Sequence, residues 1–201
     1  MKTIALGCSA SPDSMNHKGL KIISEYCDFD QIDSLSNYDI PVINTSSSDG
    51  IVPQEVDRLI TKLFQYDKFV FAVPEMTGQM GGAFKNFLDW LVVKGYMNSN
   101  LGTAYPISNK EVVLLTFTPS GGEGGSRHFP QTKEILIKLG ANVVYTKCFN
   151  NCWKNLVPDN SEHYKHDAEI IKRYLSYSKD TSSRWQQKYL DWLDKWNTIK
   201  N

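Results

Sequence analysis

The sequence predicts a single α/β domain on a five-stranded parallel sheet of order 2-1-3-4-5, with helices on both faces. Apolar, β-rich runs recur along the chain: TIALG (3–7), FDQID (29–33), FVFAV (69–73), VVLLTF (112–117) and NVVYT (142–146). Most are continuous rather than alternating, as suits strands covered on both faces. Helical patterns fill the intervals, and that alternation favours parallel strands joined by right-handed crossovers.

Each element has its own signal. TIALG opens the chain as the first strand, and Leu20, Ile23 and Cys27 then mark one face of a helix over about 15–27. FDQID is polar enough for an edge strand. Pro53 suits a helix start, and Val56, Leu59, Ile60, Leu63 and Phe64 form the stripe that follows. Phe84, Phe87, Leu88, Leu91 and Val92 mark a third helix. Ile135, Leu136 and Leu139 mark a fourth, stopped at Gly140. Residues 94–110 read as a polar loop before strand 4. Residues 151–201 read as a C-terminal helical extension of the one domain, 1–201, in which Trp185, Tyr189, Trp192 and Trp196 recur at helical spacing. Such a stripe packs on the domain or a twin subunit, or roofs a ligand pocket.

Composition narrows the function. The 22 basic and 22 acidic residues cancel, which argues against nucleic-acid or membrane-surface binding. No apolar stretch reaches the length of a membrane span. The apolar run in MKTIALGCSASP is too short for a secretory signal. Cys8, Cys27, Cys148 and Cys152 are too scattered for a disulfide framework, so a reduced, cytoplasmic protein is expected. Cys148 and Cys152 have no partners at metal spacing, and His163 and His166 read as solvated, so no metal site is expected.

For strand order 2-1-3-4-5 the ligand crevice lies where the order reverses, beyond the carboxyl ends of strands 1 and 3. The loops on that rim read CSASPDSMN, PEMTGQMGG and TPSGGEGGS. In the first, Ser9, Ser11 and Ser14 surround a helix start, whose unpaired N–H groups and dipole favour an anion. A capped polar turn accounts for the same serines, and on this loop alone both readings stay open. Asp13 is repulsive to an anion unless it points outward, and Pro12 removes a donor. The loop is neither a Walker motif nor a dinucleotide fingerprint. In the second, Gly78, Gly81 and Gly82 allow close backbone approach to a flat ligand. Lys85 and Asp89, four apart, read as a surface pair. Glu123, Arg127 and His128, around the third loop, read as solvated residues or as contacts for a dinucleotide's phosphates or an acceptor.

PEMTGQMGGAFKNFLDWL resembles the P-E-Y-N-G-S-x-P-G-x-L-K-N-x-x-D-W signature of the NADPH-dependent FMN reductase family. Pro74, Glu75, Gly78, Gly82, Lys85, Asn86, Asp89 and Trp90 match it. The first loop is similar to the family's G-S-x-R-x-x-S-x-N through Ser9, Ser14 and Asn16, and TPSGGEGGSR resembles its glycine-rich loop after strand 4. The likeness covers roughly 1–147. Met76 and Thr77 replace the family's tyrosine and asparagine, Ser11 its arginine, and Cys8 a glycine.

The resemblance implies a flavodoxin-like fold and an FMN cofactor. It places the phosphate at Ser9, Ser11, Ser14, Met15 and Asn16, and the flavin ring against Pro74, Glu75, Met76, Thr77 and Gly78, approached by Ser120, Gly121 and Gly122. It implies an oxidoreductase that passes a hydride from NADPH or NADH through flavin N5 to a quinone, azo compound, metal oxyanion or free flavin. That cycle needs no protein acid or base, so no catalytic side chain is named. A homodimer or homotetramer is implied too. Two alternatives stay open: an electron-transfer protein like flavodoxin, suggested by the S-x-S-x-x-S spacing, and a binding or scaffold protein that does not hold flavin.

Overall fold

The computed structural model describes residues 1–44, 52–97, 105–152 and 161–176, so Trp185, Tyr189, Trp192 and Trp196 lie outside the described residues. The chain runs β1 (Thr3–Gly7), α1 (Met15–Ile23), β2 (Gln31–Ser34), α2 (Gln54–Leu63), β3 (Lys68–Ala72), β4 (Glu75–Met76), β5 (Gln79–Met80), α3 (Gly82–Met97), β6 (Glu111–Phe117), α4 (Phe129–Lys138), β7 (Asn142–Phe149) and α5 (Ser161–Ser176). The main sheet has the order β2-β1-β3-β6-β7, every pair parallel. This is the expected 2-1-3-4-5 arrangement, with the polar second strand at an edge.

The continuous apolar runs follow from strand geometry, because successive side chains point to opposite faces and both faces are covered. Ile4, Leu6, Phe69, Phe71, Val112 and Leu114 pack with α2, α3 and α4 in one buried cluster. Ala5, Val70, Ala72, Val113 and Leu115 pack on the other face with Leu20 and Ile23 of α1 and Ala168 and Ile171 of α5. The described part of the 151–201 extension thus supplies the second helix of the α1 face. Its end is tied to the sheet by buried Lys68, which donates to the Leu175 carbonyl and pairs with Glu111 at 2.9 Å.

Three local features depart from the sequence reading. β2 spans Gln31–Ser34 rather than 29–33, and its Asp33 is a buried polar node. It accepts from Lys62 Nζ and Tyr38 OH at 2.6 Å, Asn37 Nδ2 at 2.8 Å and the Ser34 N–H at 2.7 Å. Burial pushes its pKa up, but those bonds outweigh it and hold the carboxyl below its ordinary value. α3 runs through Gly95 to Met97, into the segment expected to be loop. A Cβ at Gly95 would lie 2.8 Å from the Tyr105 ring, so glycine lets the returning chain pack on the helix. Finally, β4 and β5 form a small antiparallel hairpin just beyond β3.

Candidate functional site

The carboxyl ends of β1, β3 and β6 lie side by side in the sheet, so the loops 8–14, 73–81 and 118–128 share one rim. The first is held by its serines. The Ser14 side chain caps α1 by accepting the Asn16 N–H at 3.2 Å, and Ser9 Oγ accepts the Ser11 N–H at 3.2 Å. Each hydroxyl therefore keeps its own hydrogen for another acceptor. Among the described residues no acceptor meets the N–H groups of Ala10, Asp13 or Met15. Ser11 is exposed and Ser9 half-buried. Asn16 is buried, and its amide exchanges two bonds with the Phe117 backbone at 3.0 and 3.3 Å, which fixes α1 against the end of β6. The Asp13 carboxylate is 92% exposed and faces Lys18 at 3.5 Å, so it points out of the loop.

The second loop carries the hairpin. Thr77 has φ 52° and Gly78 φ 78°, the paired positive values of the turns that suit a two-residue hairpin. A β-branched residue is strained there. Met76, 62% exposed, stands beside the turn. Glu75 is tied across the rim, its Oε2 accepting the Arg127 N–H at 2.9 Å.

The third loop is fastened from the strand beside it. The Asn150 amide donates to the carbonyls of Ser120, Gly122 and Gly124 at 3.1, 3.2 and 2.8 Å, and the Asn151 N–H donates to Ser120 O at 3.1 Å. Gly125, at φ 89°, lies so close to Thr118 that a Cβ would come within 2.5 Å of its methyl group. Ser120, Gly121 and Gly122 are exposed at the loop's crest.

His128 corrects the sequence reading. It is fully buried, not solvated. Thr116 Oγ1 lies 2.8 Å from the Val73 carbonyl and 2.7 Å from His128 Nε2, while His128 Nδ1 lies 2.9 Å from Thr132 Oγ1. The Thr116 hydroxyl has one hydrogen and gives it to Val73, so it accepts from His128. Nε2 thus carries a hydrogen, and in the neutral imidazole Nδ1 accepts from Thr132. Burial lowers its pKa to about 4, against a smaller opposing effect from Glu75. This chain joins the end of β3, the end of β6 and the start of α4. The i, i+4 spacing of His128 and Thr132 was the available sequence signal. Asn150 and Asn151 had a weaker one, an Asn-Asn pair where a strand ends.

Lys85 and Asp89 pair on the surface at 2.6 Å, as expected. His166 is exposed, and no cluster able to hold a metal occurs among the described residues. Burial raises the Cys148 thiol to about 11, which makes it a poor nucleophile.

The model of the NADPH-dependent FMN reductase family matches residues 1–152. The chain belongs to that family. It is therefore an NAD(P)H-dependent flavin oxidoreductase with FMN as its cofactor. Among curated proteins, the MG342 homolog of Mycoplasma pneumoniae is 21% identical over 142 residues, 71% of this chain and 82% of its own length. Among solved structures, FerB, a flavoenzyme NAD(P)H:(acceptor) oxidoreductase from Paracoccus denitrificans, superposes with a TM-score of 0.66 at 19% identity, over 87% of this chain and 97% of that one. An oxidoreductase from Corynebacterium diphtheriae gives 0.65 at 19%, over 88% and 96%. At these identities the structural likeness speaks for the fold. The residues of this reductase fit FMN on their own chemistry. The first loop offers free hydroxyl and N–H donors at a helix N-terminus, as a phosphate needs. Open space lies where side chains at Gly78 and Gly122 would project.

Proposed function

We propose that the chain binds FMN across its three rim loops and transfers electrons from NADPH or NADH to a small-molecule acceptor. The acceptor class is a quinone, azo compound, metal oxyanion or free flavin. The observation that carries this reading is the free donor set of Ser9, Ser14, Ala10 and Met15 beside two glycine-bearing loops, at the point where the strand order reverses.

In this reading Ser9, Ser11, Ser14 and Met15 hold the phosphate, with Asn16 setting the position of the helix start. Pro74, Glu75, Met76, Thr77 and Gly78 would lie against the ring, and Ser120, Gly121 and Gly122 would approach it from the 118–128 loop. When bound, the flavin supplies the redox chemistry between nicotinamide and acceptor. The protein binds, orients and tunes. Hydroxyls and the α1 N-terminus neutralise the phosphate without a fixed cation. Backbone donors of the 118–128 loop favour the electron-rich ring. The exposed Met76 leaves a flexible apolar surface where a substrate stacks. Neutral His128 and the Glu75–Arg127 bond hold the two ring-side loops at a fixed separation. No acid or base from the protein is required.

The test is steady-state oxidation of NADPH by the FMN-loaded protein with each acceptor class in turn. Turnover with at least one class, dependent on FMN, supports the reading. Failure with all four would overturn these acceptor classes. We propose further that the enzyme is cytoplasmic and works as a homodimer or homotetramer, which light scattering of the loaded protein tests. No helix among the described residues is long and apolar enough to cross a membrane.

A further inference from the structure

We propose that Asn150 is a positioning residue for the ring-binding side of the site: its amide gathers the Ser120, Gly122 and Gly124 carbonyls and so aims the intervening N–H groups toward the β3 loop. The inference rests on the FMN reading above. One side-chain amide has two hydrogens, yet it serves three carbonyls at 3.1, 3.2 and 2.8 Å, so at least one hydrogen is shared. In a trans peptide the C=O of one residue and the N–H of the next point in opposite directions. Drawing those three carbonyls toward Asn150 therefore turns the N–H groups of Gly121, Glu123 and Gly125 away from it. No acceptor meets those three N–H groups among the described residues.

The direction follows from the sheet. Asn150 follows β7, and β6 lies between β7 and β3. Groups aimed away from Asn150 are aimed away from the β7 edge, toward the side where Pro74 to Gly78 stand. Two further contacts hold the loop in the same sense. The Asn151 N–H bonds Ser120 O, and Asn151 Oδ1 would lie only 3.2 Å from a Cβ at Gly121. The Cys152 N–H bonds Thr118 O at 2.9 Å. The segment after β7 thus acts as a clamp whose working group is the Asn150 amide. An aspartate of the same shape would reverse it, since a carboxylate has no hydrogen to donate and repels carbonyl oxygens.

The test compares Asn150→Ala and Asn150→Asp with wild type and with Ser14→Ala, using apoprotein titrated with FMN and with riboflavin, which lacks the phosphate. Hydrogen exchange at the Ser120 and Gly124 amides is followed in the apoproteins. The inference predicts that both Asn150 variants weaken FMN and riboflavin by the same factor, about tenfold, and speed exchange at the Ser120 and Gly124 amides, which are bonded to Thr118 Oγ1 and the Gly121 carbonyl. Ser14→Ala weakens FMN alone. If Asn150→Ala binds both ligands within twofold of wild type, or weakens only FMN, the inference is overturned. If the Asn150 variants keep wild-type exchange at the Ser120 and Gly124 amides, the clamp is overturned whatever the affinities. Wild-type protein that binds no FMN would instead overturn the cofactor reading itself, before any variant is compared.

Discussion

Acidification from pH 7.5 to 4.5 should cost the apoprotein about 2.5 kcal/mol of stability through His128 alone. The imidazole is buried between Thr116 and Thr132 and held neutral, with a pKa near 4 against an ordinary 6.5. The folded value lies below the unfolded one, so this contribution is whole above pH 6.5 and is lost as pH falls toward 4. At pH 4.5 the unfolded chain has taken up the proton and most of the folded chain has not. That gap is nearly two pKa units at about 1.4 kcal/mol each. His128→Gln removes the titration and leaves His17 and every carboxylate in place. Urea denaturation of both proteins across the range gives their stability difference at each pH. At pH 7.5 wild type should be the more stable, because the variant breaks a buried hydrogen-bond chain. The difference should narrow by about 2.5 kcal/mol on reaching pH 4.5. A difference that stays constant with pH would refute the neutral buried imidazole, and with it the assigned tautomer.

Three further predictions concern other parts of the rim. Gly19→Ala would place a Cβ 2.3 Å from the Phe117 ring, so despite a helix-propensity gain of about 1 kcal/mol it should lower stability by about 1–2 kcal/mol. An unchanged or higher melting temperature would show that α1 does not sit so closely on β6. Thr77→Asn relieves a β-branched residue at φ 52° and should raise the melting temperature by about 2–3 °C, read by calorimetry. Ser11→Arg puts a cation on the exposed tip of the first loop and should tighten FMN about fivefold to tenfold at low salt, without changing riboflavin binding. Equal gains for both ligands would place the phosphate elsewhere.

The strands are legible in the sequence because β1, β3 and β6 are buried on both faces and read as nearly continuous apolar runs. β2 is less so, since it ends in Asp33 and Ser34, whose burial depends on partners from Asn37 to Lys62. The β4–β5 hairpin escapes notice because Thr77 stands where a turn with two positive φ values prefers asparagine or glycine. His128 reads as solvated because it follows Ser126 and Arg127 at the end of a glycine-rich loop. Its burial rests on two threonines, one on a strand and one a helical turn ahead. Asn150 is the least legible, because its partners are backbone carbonyls 26 to 30 residues earlier, and carbonyls carry no sequence signal. The three rim loops are visible from composition and strand order. What holds them at their separations is not, because it consists of side-chain bonds to main chain. Asp13 shows the same limit, since only its exposure and its approach to Lys18 place it outside the anion-binding side of the first loop.

The most direct test of the central claim is an anaerobic titration of the purified apoprotein with FMN, followed in the visible spectrum and completed with NADPH. The structure predicts saturable binding at one FMN per chain, a shifted flavin spectrum, and bleaching of the bound flavin on adding NADPH. A spectrum that remains the sum of free FMN and protein, with the flavin lost on gel filtration, would contradict it.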